Sequence, residues 1–163
     1  MRRWLLVALV VSPLLLAGCQ SATPLKVRPA LDRLGQMTGL NPSDEEQIAG
    51  VLDDVCRGMQ ARQIYKVLAH VAQSYHDEEG RDYAAVETYL NEAFRNYRTI
   101  RITRVVPRIT VQDDRARAIE TFGTVAEPQD PQREPPINLQ GQVTVDLVKV
   151  GGEWRIVQWG KIL

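Results

Sequence analysis

Apolar side chains recur every three or four positions in the stretch that follows residue 43, which is the spacing of an amphipathic helix. Three such stripes, separated by polar breaks, predict helices over 43–59, 64–75 and 83–97. Ser43 and Glu46 have the spacing of a capping box at the start of the first helix. Asp82 stands where it can cap the third helix, directly after a polar break.

After residue 98 the apolar period changes from helical to alternating, which indicates strands. The predicted strands cover 100–111, 115–126, 139–147 and 153–159. Within the first of them Ile102 and Ile109 have opposite parity, so we expect one extra residue, and therefore a bulge and a bend, near 105–107. Gly151 and Gly152 suit a tight hairpin before the last strand.

This order of elements predicts an α+β domain over 43–163. Three N-terminal helices would pack on one face of a bent antiparallel sheet of four or more strands, because runs of helices followed by hairpin-connected strands form that layer arrangement.

Two short motifs make the prediction more specific. One is the Tyr75-x-Asp77-x-x-Gly80 junction between the second and third helices, and the other is the Gly-Gly-x-Trp-x-Ile-Val hairpin at 151–157. Together with the element order they resemble the nuclear transport factor 2-like superfamily, which includes ketosteroid isomerase and polyketide cyclase-like proteins. The resemblance covers 43–163 and implies a cone-shaped fold with a pocket at its open end. Some members are enzymes, and many bind ligands or partners.

The N-terminus carries the pattern of a bacterial lipoprotein. Arg2 and Arg3 precede an apolar run over 4–17, which is too short to cross a bilayer and is typical of a signal peptide. Leu16-Ala17-Gly18-Cys19 resembles the lipobox, in which the signal peptidase cuts before an acylated cysteine. We therefore predict a signal peptide at 1–18, lipidation of Cys19, and a tether over 19–42 that is rich in proline and glycine.

Acylation would make the lipid bilayer the first partner, because acyl chains hold a soluble domain on a membrane. Gln20 stands where an aspartate would favour the inner membrane in similar lipoproteins. The expected location is therefore the outer membrane, with the domain facing the periplasm.

Composition and charge exclude several function classes. The chain has 20 basic and 20 acidic residues, so it lacks the positive field of a nucleic-acid-binding protein. It has two cysteines and two histidines, and no motif for a metal, a phosphate loop or a serine nucleophile. We therefore expect no metal, no cofactor and no nucleic-acid partner.

Acid–base chemistry is the enzymatic route that the resemblance leaves open, because pocketed members place a carboxylate, histidine or tyrosine of shifted pKa in an apolar cone. The candidates here are Tyr75, His76, Asp77, Glu120 and Asp146. Each has a structural alternative: Tyr75 continues an apolar stripe, Asp77 stands where it can bind backbone amides, and Asp146 alternates with polar residues of an outer sheet face. None matches a transferable catalytic motif, so no catalytic residue is assigned.

Arg104 and Trp159 are the candidates for ligand binding. Arg104 shares the parity of Ile100 and Ile102, which directs it inward unless the bulge intervenes. Trp154 and Trp159 have opposite parity, so one of them needs a cover other than the domain's own helices. That cover is either a second copy of the chain, giving a homodimer, or the residues at 161–163.

Three functions remain open at this stage. The first, which we favour, is a non-catalytic module that binds a small ligand or another envelope protein. The second is a small-molecule isomerase, dehydratase or hydrolase with a carboxylate in its pocket. The third is a purely structural envelope protein whose cone is filled by side chains. An open apolar pocket without titratable groups would favour the first function. A pocket that contains a buried carboxylate of raised pKa would favour the second, and a closed cone would favour the third.

Cys19→Ala tests the anchor. If Cys19 is the membrane attachment, the variant loses metabolic labelling with fatty acid and is no longer processed as a lipoprotein, because the acylated thiol is gone. Labelling is read on the immunoprecipitated protein beside the wild type. Fatty-acid labelling that persists in the variant contradicts the prediction.

Overall fold

The computed structural model describes residues 41–163, and Pro42–Leu163 forms one unit. The predicted signal peptide at 1–18, Cys19 and most of the tether lie outside the described residues. Within 41–163, no helix is both long enough and apolar enough to cross a bilayer. The elements, in chain order, are α1 (Asp44–Ala61), α2 (Ile64–Leu68), α3 (Tyr83–Asn96), β1 (Tyr97–Arg104), β2 (Arg108–Gln112), β3 (Arg115–Pro128), β4 (Ile137–Val150) and β5 (Glu153–Trp159).

Both predicted helix caps are present. The Glu46 amide donates to Ser43 Oγ at 3.2 Å, and the Ser43 amide donates to Glu46 Oε2 at 2.8 Å, which completes the capping box of α1. Asp82 caps α3 by accepting from the Ala85 amide at 2.9 Å. These contacts satisfy amides that have no partner inside the first turn of a helix.

The second predicted helix is shorter than expected, because α2 ends at Leu68 instead of continuing to Tyr75. The chain beyond it runs beside the edge of β5, where the Ala72 amide donates to the Ile156 carbonyl at 2.8 Å. Val71 and Tyr75 are each only 3% exposed in this extended segment. These positions are apolar because they are buried, and their spacing happens to match that of a helix although no helix forms. The extended segment instead covers the edge of β5.

The five strands form one antiparallel sheet in the order β1-β3-β4-β5, and β2 pairs with β3 beyond the end of β1. Arg104 is opposite Phe122 and Arg108 is opposite Ile119, so three residues face two across the bend. The predicted extra residue near 105–107 is confirmed. The helices pack on the inner face of this curled sheet, as expected for the predicted α+β class. The core between them contains Ile48, Leu52, Val67, Val145, Leu147, Trp154 and Ile156.

A second irregularity changes the direction of Trp159. The register between β4 and β5 shifts at Asp146 and Leu147, so that Trp159 is opposite Val145 while Trp154 is also buried on the helical side. The expectation that the two tryptophans face opposite sides was wrong, because it assumed an unbroken strand. The argument that Trp159 needs a second copy of the chain as its cover therefore loses its basis.

The loop between α2 and α3 is organised around one buried carboxylate. The side chain of Asp77 is 1% exposed and accepts hydrogen bonds from the Glu79 amide (3.0 Å), the Arg81 amide (2.9 Å), Arg81 Nε (2.7 Å) and the Tyr75 hydroxyl (3.1 Å). Burial acts to raise the pKa of Asp77, but the hydrogen bonds from Arg81, Tyr75 and Glu79 outweigh it and hold that pKa below its ordinary value.

Asp77→Asn should destabilise the fold by about 2 kcal/mol at neutral pH, since the amide loses the charge that these donors face. The folded-state pKa of Asp77 is lowered, so its contribution is present above the pKa of the unfolded chain, about 3.9, and is lost as pH falls through the folded value. The difference in melting temperature between wild type and variant should accordingly shrink below about pH 4. A difference that stays constant down to pH 2 contradicts this.

Gly80 supplies a backbone conformation that the same loop requires. Its φ is +78°, and a Cβ built there meets nothing within 4 Å, so any loss on substitution reports the backbone and not a clash. Gly80→Ala should cost about 1 kcal/mol in the free energy of unfolding. Gly50→Ala, on a helical glycine with equally open surroundings, should instead stabilise by about 0.5–1 kcal/mol. Equal melting temperatures for the two variants would contradict the assignment.

Candidate functional site

A cavity of about 620 Å³ lies between the helices and the inner face of the sheet. Its walls are mostly apolar or aromatic, which is the usual character of a small-molecule site. These residues are Val55, Met59, Val67, Tyr75, Val86, Tyr89, Leu90, Phe122, Val143, Trp159 and Ile162. The remaining wall consists of Glu79, Arg81, Gly160 and Lys161.

The sheet side of the cavity follows from strand register. Val143 on β4 is opposite Glu120 on β3, and Phe122 is opposite Gly141, so these positions share the inner face with the buried Ala118. Across from them, α1 contributes Val55 and Met59, one helical turn apart, and α3 contributes Val86, Tyr89 and Leu90. The inward-facing side chains of the strands and the apolar faces of the two helices therefore line the cavity from opposite sides.

The C-terminal segment forms part of the wall. It continues beyond β5 beside β4, where the Gln142 amide donates to the Leu163 carbonyl (3.1 Å) and the Leu163 amide donates back (2.9 Å). A Cβ on Gly141 would lie 2.4 Å from Ile162 Cγ2, so only glycine allows this close approach. The sequence analysis named 161–163 as one possible cover of Trp159, and Lys161 and Ile162 do line the same cavity as Trp159. It did not place them on the wall of a binding site, because no local pattern signals a segment that pairs after the last strand.

Tyr75 and Trp159, two of the predicted candidates, meet on the cavity wall. Their ring centroids are 5.6 Å apart, and the Trp159 amide donates to the Tyr75 hydroxyl at 3.2 Å. The same hydroxyl donates to Asp77 Oδ2, so its proton is already engaged. Burial is the main reason that the pKa of Tyr75 rises to about 12, and the bond to Asp77 adds to it. Tyr75 is therefore a neutral wall residue at physiological pH.

The other candidates for acid–base chemistry do not line the cavity. Asp77 is buried behind Tyr75 and serves the loop, and His76 is exposed. Asp146 lies on the outer sheet face, as the alternation predicted, where Arg117 binds it at 2.7 and 3.0 Å. His70, the other histidine, is 3.5 Å from Asp54 on α1 and also lies outside the wall.

Glu120 and Arg104 form a separate polar cluster under α1. Arg104 faces inward, as one reading of its parity predicted, and its guanidinium binds both Glu120 on β3 and Asp53 on α1. Burial raises the pKa of Glu120, although the Arg104 charge opposes that rise. Neither side chain lines the cavity, and the charge of Arg104 is already balanced by two carboxylates, so the cluster joins a helix to the sheet.

Charged groups of the wall stand at its exposed rim. Arg81 binds Asp77 through Nε and Glu79 through Nη1 at 3.2 Å. Lys161 is exposed and, within residues 41–163, makes no ion pair. The rim therefore holds one ammonium group that is free to meet an anion.

The polar groups of the wall decide what chemistry the cavity can offer a ligand. The proton-carrying groups of the wall are the neutral Tyr75, the half-exposed Tyr89, the ion-paired Glu79 and Arg81, and the exposed Lys161. In the described part of the chain no group of three or more His, Cys, Asp or Glu side chains could hold a metal ion. Within residues 41–163, the cavity offers a ligand an apolar surface, the Tyr89 hydroxyl and the unpaired Lys161 ammonium group.

Comparison with known proteins identifies the fold. No protein-family model matches the sequence, and no curated protein does. Among solved structures, a protein provisionally assigned as a scytalone dehydratase from Novosphingobium aromaticivorans superposes with a TM-score of 0.64 at 15% identity, covering 82% of this chain and 88% of the other. A hexachlorocyclohexane dehydrochlorinase gives 0.60 at 14% identity, covering 82% and 93%.

A nuclear transport factor 2-like superfamily protein from Salmonella enterica serovar Typhimurium gives a TM-score of 0.61 at 14% identity, covering 71% of this chain and 87% of the other. Identities this low show a shared fold and carry no activity from one chain to another. They confirm the fold that the sequence resemblance implied. Residues 42–163 have the nuclear transport factor 2-like fold, with helices packed on a curled antiparallel sheet.

Proposed function

We propose that this protein is a lipoprotein of the bacterial outer membrane whose periplasmic domain binds a small, mainly apolar molecule without transforming it. The observation that carries the proposal is the 620 Å³ cavity with apolar walls, a size typical of small-molecule sites. Burial of apolar surface from the ligand would drive binding, at about 25 cal/mol for each Å² removed from water.

Two observations support this function over the two alternatives. A purely structural role was expected to leave the cone filled by side chains, and the space between α1, α3 and the sheet is not filled. An enzyme of the dehydratase or dehydrochlorinase kind, as some structural neighbours are named, needs a proton donor or acceptor facing the ligand. Here Glu120 has a raised pKa but binds Arg104 outside the wall.

A ligand site also fits better than a docking site for an envelope protein. The cavity is concave and lined on several sides, by α1, α3, the inner sheet face and the C-terminal segment. Protein partners ordinarily meet broad surfaces with an apolar centre and a polar rim. A small molecule fits this concave space directly.

The location rests on the N-terminal sequence. The lipobox at 16–19 supports acylation of Cys19, and Gln20 supports transfer to the outer membrane. A proline-rich tether of 23 residues, 20–42, could extend over roughly 75 Å, so the domain could reach well into the periplasm. The anchor would keep the domain at the membrane, where it can meet an apolar ligand that is poorly soluble in water.

Identification of co-purified small molecules tests ligand binding, with a cavity-filled variant as the reference. Val143→Trp places an indole into the cavity from β4, while Gln142→Trp places the same group on the outer face of that strand. Full-length wild type and Gln142→Trp should carry the same molecule in near-stoichiometric amount after purification. Val143→Trp should carry less than a tenth of it. Mass spectrometry of solvent extracts provides the measurement.

Circular dichroism and melting curves establish that both variants are folded before their extracts are compared. A molecule recovered equally from all three proteins is not held in the cavity. If the wild type carries nothing above the level of Val143→Trp, and added apolar compounds do not raise its melting temperature, the cavity is not a ligand site.

A further inference from the structure

A second, smaller cavity of about 190 Å³ adjoins the first. Met59 and Tyr89 line both cavities, so these two side chains stand where the cavities meet, and we call this place the passage. The other lining residues of the second cavity come from the C-terminal end of α3 and from β1, β3 and β4. They are Glu92, Ala93, Asn96, Tyr97, Ile100, Thr124, Ala126 and Ile137.

The two cavities follow one line along the inner face of the sheet. On β4 the wall runs from Val143 in the first cavity to Ile137 in the second, six residues apart, which is about 20 Å along a strand. On α3 it runs from Val86 to Ala93 on the facing side. The two cavities therefore lie one after the other, and a linear molecule could occupy both where a compact one would occupy only the first.

The passage can adapt to a chain. Met59 is unbranched and flexible, so it can move without disturbing the helix that carries it. Tyr89 is 58% exposed, so its ring is not held by the core. Together they can part around a linear chain, which needs only a narrow opening.

Charge at the two ends differs in sign. Lys161, at the rim of the first cavity, has no ion pair within residues 41–163, whereas Arg81 and Glu79 on the same wall are paired with each other. At the second cavity the charged wall residue is Glu92, which is exposed, while Asn96 and Tyr97 bind Glu134 and Pro135 of the neighbouring loop. An anionic head group is favoured at Lys161 and disfavoured at Glu92, which sets the orientation of the ligand.

We propose, on the basis of the ligand-binding function above, that the ligand is a single-chain amphiphile with an anionic head group. A long-chain carboxylate represents this class. Its carboxylate lies at Lys161, and its hydrocarbon chain passes between Met59 and Tyr89 so that the chain end occupies the second cavity.

Photolabelling in isolated membranes tests this with the full-length protein. Two probes are used, hexadecanoate and octanoate, each with a diazirine at the chain end. The hexadecanoate probe should label the second cavity, on the peptide that contains Glu92, and the octanoate probe should label only the first. Unlabelled hexadecanoate should compete at least tenfold better than hexadecanol, since the alcohol offers Lys161 no charge.

Matched variants separate the two ends of the site. Ala93→Phe fills the second cavity and should lower hexadecanoate labelling at least tenfold, without changing octanoate labelling. Ala84→Phe, the same change at an exposed position of α3, should change neither. Lys161→Gln lies at an exposed position where packing is not at risk, and it should remove the preference for hexadecanoate over hexadecanol.

Each remaining outcome counts against the inference. Hexadecanoate labelling that is the same in Ala93→Phe and wild type means that the chain does not enter the second cavity. A preference for the acid that survives Lys161→Gln means that the head group lies elsewhere. If octanoate labels the first cavity and Val143→Trp abolishes it, while hexadecanoate never reaches Glu92, the proposed binding function stands and the long-chain ligand is wrong. No saturable labelling by either probe overturns the inference, and co-purification then decides the binding function separately.

Discussion

The site depends on one hydroxyl group. Tyr75 donates to the buried carboxylate of Asp77 and accepts from the backbone amide of Trp159, so it connects the loop before α3 to the last residue of β5. Asp77 in turn binds Arg81 through its amide and its guanidinium. The connection holds three parts of the cavity wall, at Tyr75, Arg81 and Trp159, in fixed positions relative to each other. Tyr75 and Asp77 are both buried. Replacing either side chain with an apolar group would therefore leave the other without its hydrogen-bond partner, and an unsatisfied buried polar group costs more than the hydrogen bond itself contributes.

This use of polar groups is the basis of the proposal that the cavity binds its ligand without transforming it. A catalytic acid or base needs a pKa near the working pH and a free position beside the substrate. Burial raises the pKa of Tyr75 to about 12 and its proton is committed to Asp77, while Asp77 is held ionised by its donors. Burial raises the pKa of the Glu120 carboxyl group, but Glu120 is bound by Arg104 and lies outside the cavity wall. Four of the five groups that sequence reasoning selected as catalytic candidates, Tyr75, Asp77, Glu120 and Asp146, are thus bound to other residues of the fold.

Local signals in the sequence predicted much of the fold. The Ser43–Glu46 capping box, the Asp82 cap and the extra residue near 105–107 are all visible in neighbouring residues, because each obeys a short-range rule. The errors came from contacts between distant segments. The stripe that ends at Tyr75 is buried by the edge of β5, and the direction of Trp159 depends on a bulge with no glycine or proline to mark it. The cavity wall was missed in part for the same reason, since Lys161 reaches it through pairing with β4.

The same reasoning shows where specificity is set on this fold. Structural neighbours with 11–16% identity share the shell of helices and sheet although their names imply different chemistry, so the shell does not determine the ligand. In this chain the core residues Leu52, Leu147 and Ile156 lie away from the cavity, whereas Met59 and Lys161 line it without belonging to the buried core. Changes at these wall positions can alter the length and charge of the ligand at little cost to the fold. Under the proposed function, the identity of the ligand would therefore be decided by a few partly exposed side chains, above all those at the passage and at the rim.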